Sequence, residues 1–241
     1  MNYTNEINSY KKFCDLYFNK FYSNQFRPLF KKDYLRLFQI INLFQLIHNY
    51  NWPKNNYLSK LSELCLSSLY NLLIAIPSNN DLFIASCTRQ FDEELLEIVY
   101  SQYCNNEISD NIEELLSLNY RSLWEDGIQN TDQYKKLSST KKSDHILREK
   151  EKLDAINELF RKDSDKLHFK YQPLNTSKYL EQIVTKGIEF DKAQLSQHIK
   201  HYHKFCIDLL PIIIQLDIKN MTTSDHLNYI NLIKNLNRLN S

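Results

Sequence analysis

The chain spends only two glycines, Gly127 and Gly187, and five prolines over 241 residues. Tight hairpin turns and the corners of β-sandwiches call on residues that tolerate positive φ, a role glycine fills most cheaply. Phosphate loops of the Walker type and dinucleotide fingerprints need glycines where the backbone must approach a ligand closely. Neither can be built here. Long helices joined by short polar loops remain, and an all-α antiparallel bundle is the predicted fold class.

Apolar spacing agrees with that choice. Tyr10, Phe13, Leu16, Tyr17 and Phe21 mark a first helix over about Asn5 to Asn24. Leu37, Ile40, Ile41, Phe44 and Ile47 mark a second, which Asp33 is placed to cap. Leu58, Leu61, Cys65, Leu69, Leu72 and Ile76 form a third stripe ending at Pro77. Asp81 opens a fourth, with Ile84, Cys87, Phe91, Leu95 and Ile98 on its buried side and Arg89, Glu93 and Tyr100 on another face. A shorter helix is expected near Ser109 to Ser117, and Gly127 marks a turn. The polar stretch Thr131 to Ser143 reads as a mobile loop. Later helices are expected over about Ile146 to Tyr171, Lys178 to Lys186, Asp191 to Leu216 and Ser224 to Leu239.

Thirty basic against 29 acidic side chains leave a formal charge of +1. That balance argues against a polybasic membrane binder or a nucleic-acid coat, which need a basic field. The five cysteines are scattered without CxxC spacing, and Cys65, Cys87 and Cys206 fall inside apolar patterns. Reduced thiols in a cytoplasmic protein are expected. MNYTNEINSYKK lacks the layout of a signal peptide, and the apolar run Ile207 to Ile218 is too short and too charged to span a bilayer, so no membrane partner is expected.

Chemistry is concentrated in NELFRKDSDKLHFKY, Asn157 to Tyr171. Arg161 and His168 stand seven residues apart, nearly two helical turns, and so share a face. The same residues also suit a solvated ladder, with Glu158 and Asp165 at ion-pair spacings from Arg161. A permanently charged guanidinium fork suits phosphate oxygens, and an imidazole moves protons near neutral pH. Together they offer a route to metal-independent RNA cleavage. His168 acts on the 2′-hydroxyl or the leaving oxygen, and Arg161 stabilises charge on the phosphorus. One imidazole performs half of a two-proton task, so a homodimer that brings two copies across a two-fold axis is expected.

An Arg followed at this distance by His, late in a helical bundle, resembles the HEPN superfamily of bacterial conflict proteins, many of them RNases of toxin–antitoxin or abortive-infection systems. CTRQFDEELLEIVY resembles an earlier helix of that group through Arg89 and Glu93. INELFRKDSDKLHFKY resembles the late helix through Arg161, Ser164 and His168. The resemblance implies catalytic roles for Arg161 and His168 and supporting or substrate-binding roles for Arg89, Glu93, Ser164 and Asp165. It divides the chain into an N-terminal helical extension (1–57), a HEPN-like core (58–217) and a C-terminal helix (218–241). It implies no cofactor, with RNA, a second copy, and an antitoxin or neighbouring defence protein as partners. Lys162 departs from the pattern, because active members often carry Asn, Asp or His after the Arg. Many relatives of this type are inactive binding modules, which makes a silent interaction domain the alternative reading.

Two other clusters read as ordinary. His198, His201 and His203 lack the spacing of a zinc site. The adjacent pairs Glu93/Glu94 and Glu113/Glu114 cannot both face one site from a helix and are read as solvated.

Overall fold

A computed structural model describes residues 3–18, 29–50, 52, 57–78, 80–104, 112–139, 144–167, 191–217 and 221–237. Among these the chain is helical, with no strand. The α-helices are α1 (Tyr3–Tyr17), α2 (Lys31–Asn49), α3 (Leu58–Ser78), α4 (Asp81–Tyr103), α5 (Ile112–Leu116), α6 (Asp132–Ser139), α7 (Asp144–Leu167), α8 (Lys192–Asp208), α9 (Leu210–Ile213) and α10 (Thr223–Asn237). The segments expected past α1, over Lys178 to Lys186, ahead of Ile112 and from His168 to Tyr171 lie partly or wholly outside the described residues.

The core follows the apolar stripes. Leu37, Ile40 and Phe44 of α2, Leu61, Cys65 and Leu69 of α3, Phe91 and Leu95 of α4, Leu153 and Ile156 of α7, and Tyr202 and Phe205 of α8 are all fully buried. Phe91 meets Phe44 and Tyr202 edge-on, at 5.7 and 5.0 Å between ring centroids, the geometry the aromatic quadrupole favours. Among the described residues α3 alone has the length and apolar composition of a membrane span, yet half of that window is buried within the bundle.

Helix direction follows from paired contacts. Ser196 donates to Asp33 at 2.8 Å and His203 meets Gln39 at 2.7 Å, so α2 and α8 run parallel. Ser68 donates to Glu94 across α3 and α4. Thr88 reaches Asp163 at one end of α4, while the Glu149 charge acts on Tyr103 at the other, which makes α7 antiparallel to α4. One pole of the bundle therefore gathers the amino ends of α2, α4 and α8 with the carboxyl ends of α3 and α7.

Three local expectations need correction. Phe30, not Asp33, is the N-cap of α2, and it makes no side-chain cap bond. Asp33 is fully buried one turn in, held by Arg36 at 3.0 Å and by Ser196. The stretch read as a mobile loop contains α6. Thr131 accepts from the Tyr134 N–H at 3.2 Å as a cap, and the Tyr134 ring packs edge-on against Trp124 while its hydroxyl donates to Asp154. One buried aromatic anchor orders a segment whose composition alone suggests none. The helix expected over Asp191 to Leu216 breaks at Leu209, because Pro211 has no N–H to continue the ladder.

Candidate functional site at the seam of α4 and α7

Two stripes of α4 face α7. On the outer stripe, Arg89 donates from Nε to Ser164 Oγ at 3.0 Å, and its guanidinium carbon lies 5.0 Å over the Phe160 ring. Its other arm pairs with Glu93 at 3.4 Å. Phe160 stacks in turn on Tyr120, centroids 4.9 Å apart and planes within 8°, and the Tyr120 hydroxyl donates to Asn157 at 2.7 Å. Burial raises the Tyr120 hydroxyl pKa, while the Asn157 bond and the nearby Arg161 charge oppose that rise.

Arg89, Glu93 and Ser164 thus meet at one seam, the first two through their i,i+4 spacing and the third through the packing of α7 on α4. Arg161 and Asp165 are exposed on α7, and Arg161 makes no ion pair among the described residues. His168 follows directly on Leu167 and lies outside the described residues. The expected ladder takes another register, because Glu158 pairs with Lys162 at 2.6 Å.

The inner stripe holds a polar cluster that spacing arguments passed over. The Thr88 hydroxyl donates to Asp163 Oδ2 at 2.5 Å. His198 Nδ1 stands 3.6 Å from the same oxygen, an ion-pair distance and not a hydrogen bond. Tyr202 donates to the Thr88 carbonyl at a long 3.4 Å and also influences the Asp92 carboxyl. Asp92 is fully buried, and neither of its oxygens has a well-formed hydrogen bond among the described residues. Burial, and then the Asp163 charge, push its pKa well above the usual carboxylate range. A signal existed. Asp163 continues the Ile156 and Phe160 stripe, and Asp92 sits between Phe91 and Leu95, so both occupy inward-facing positions.

Beside this cluster a shallow crevice opens, lined by Asp81, Ile84, Thr88, Asp163, Gln194 and His198 among others. Its volume, about 10 Å³, is close to what one water needs. It has no room for a nucleotide. The three clustered histidines diverge. His198 faces Asp163, and His203 is buried against Gln39 with its pKa pushed down to about 4 by burial. Burial, with Lys204 and Lys200, also lowers His201. No group of three His, Cys, Asp or Glu side chains converges as a metal site among the described residues.

The reading of Glu93 and Glu94 as a solvated pair is also corrected. Glu93 is half-buried on Arg89, whereas Glu94 is buried, accepting from Ser68 at 2.8 Å and Gln90 at 3.2 Å. Adjacent positions on a helix point about 100° apart, and that angle carries Glu94 into the interface of α3 and α4. Burial pushes Glu94 up to about 7 and the neighbouring Glu97 up to about 8. Both Glu113 and Glu114 are exposed.

Compared with known proteins, the chain matches no family model, no curated protein and no solved structure.

Proposed function

We propose that the protein is a HEPN-like helical effector that engages RNA along the seam of α4 and α7 and cleaves it without a metal. The observation that carries this reading is the bond from Arg89 to Ser164. It joins the two segments that resemble the group and fixes them beside exposed Arg161, on the helix that leads into His168. In this reading Glu93 and Phe160 hold the Arg89 guanidinium, Arg161 offers its fork to a phosphate, and His168 moves the proton. A two-fold dimer supplies the second imidazole.

The alternative is a catalytically silent module that binds a partner defence protein, and one feature favours it. Glu93, Ser164 and Phe160 together engage Arg89, as a structural clamp requires. RNA degradation by the purified wild-type protein, with chelator present and with Arg161→Ala and His168→Ala alongside, decides between them. Cleavage by wild type that both substitutions abolish supports the nuclease. An intact wild-type fold that leaves RNA uncut retires it.

A further inference from the structure

The outer flank of α8 carries Lys200, His201 and Lys204. Lys204 lies one turn from each of the other two, a spacing that sets β-carbons about 5–6 Å apart. The three side chains therefore share one patch. Lys200 and Lys204 are exposed, and neither makes an ion pair among the described residues. His201 is half-buried at the inner edge of the patch, where Glu158 and Lys162 of α7 act on it. The acids that could neutralise the patch are engaged elsewhere. Glu158 pairs with Lys162 at 2.6 Å, and Asp208, one turn beyond Lys204, pairs with Lys152 at 3.1 Å. Among the charged groups acting most strongly on the His201 ring, Lys204, Lys200 and Lys162 are positive and Glu158 alone is negative. A chain with a formal charge of +1 thus carries a concentrated positive spot.

That charge does not continue along the helix. The exposed positions before it on this flank are Ala193 and Gln197, and the one after it is the paired Asp208. A groove that follows a nucleic-acid backbone needs a continuing basic track, because each phosphodiester carries a single charge. Two ammonium groups and an imidazole gathered at one spot match two negative charges on one phosphorus instead. We infer that Lys200, His201 and Lys204 bind the phosphate group of a phosphate monoester, carried on the end of an RNA strand or on a free nucleotide. Such a group is close to doubly charged at neutral pH. The ammonium groups supply compact charge, and the imidazole supplies a directional N–H. The inference stands apart from the RNA reading, since a free nucleotide also satisfies it.

The test uses the full-length wild-type chain and fluorescence anisotropy with an internally labelled 12-nucleotide 2′-O-methyl RNA, whose blocked hydroxyls prevent the proposed cleavage. A probe with a phosphate at its 5′ or 3′ end should bind about tenfold more tightly than one with neither, the worth of one charge-assisted hydrogen bond. Lys200→Gln with Lys204→Gln should abolish that preference, and His201→Ala should reduce it. Both lysines are exposed, so the helical circular dichroism of the double variant should match wild type. Lys60→Gln, exposed on α3, removes the same charge elsewhere and should leave the preference intact. Calorimetry with adenosine monophosphate separates the two sources. Binding heat that the double variant loses assigns a free nucleotide, and no heat beside a retained end-phosphate preference assigns the strand end. Absence of both signals overturns the inference, and so does either signal surviving in the double variant. Cleavage of unmodified RNA by a wild type that shows neither signal keeps the nuclease and removes this site. Either signal without cleavage does the reverse.

Discussion

Arg89 and Ser164, 75 positions apart, are joined by a 3.0 Å hydrogen bond from Nε to Oγ. Phe160 and Glu93 hold the same guanidinium from two other sides. Ser164→Ala should therefore cost about 0.5–1.5 kcal/mol in urea unfolding. The cost should shrink when Arg89 is already alanine, since the two side chains share one interaction. Fully additive losses in the double variant would show that the bond carries no energy.

Arg161 lies on the exposed side of α7 and contributes little to the core. If the nuclease reading holds, Arg161→Ala and His168→Ala should each lower RNA cleavage by ~10²–10⁴-fold with the helical circular dichroism unchanged. A variant that cuts at the wild-type rate removes its residue from the mechanism.

Stability should fall as pH rises from about 5 to about 8.5. Burial raises Glu94 to about 7 and Glu97 to about 8, and Asp92 goes up as well. Through that window the folded state keeps protons that the unfolded state has already released, so each added pH unit favours unfolding. His203, pushed down to about 4, works in the opposite direction. Its contribution is lost as pH falls from about 6.5, the unperturbed value. The carboxyls outnumber it. Urea midpoints at pH 6 should exceed those at pH 8.5, and Glu97→Gln should flatten the slope by about one proton, roughly 1.4 kcal/mol per pH unit. A slope that Glu97→Gln leaves untouched would assign the titration elsewhere.

Gly127 is required by close approach and not by a positive φ. A Cβ there would stand 2.4 Å from the Tyr100 ring and 2.7 Å from the carbonyl oxygens of Ser122 and Leu123. Two of those neighbours are backbone and cannot swing aside. Gly127→Ala should destabilise the fold by about 1–3 kcal/mol, as overpacking does. A thermal midpoint equal to that of wild type would mean that the turn relaxes freely.

The all-α class was legible because scarce glycine and 3.6-residue stripes are averages over many positions. The stripes through Leu37, Leu61 and Phe91 reach the core as expected. The local misses share a cause. Asp33, Asp92, Glu94 and Asp163 are ionisable residues on inward-facing helix positions, and composition assigns such residues to solvent. Their partners, Ser196, Tyr202, Ser68 and Thr88, come from other helices and leave no trace in local spacing. Arg89, Glu93 and Ser164 entered through a family resemblance carried by two short segments, and the structure brings those three side chains together. Tertiary contact decided the rest.

The bond between Asp33 and Ser196 spans 163 positions, and it ties the first long helix of the bundle to the last. A ribosome adding roughly 5–20 residues per second needs about 8–30 s to travel that distance. Throughout that interval α2 has emerged while the strip that covers Asp33 and Gln39 is not yet made. The nascent chain must wait with an apolar flank and a desolvation-sensitive carboxylate both in water. Folding helpers and proteases that act during synthesis therefore meet this chain half-assembled.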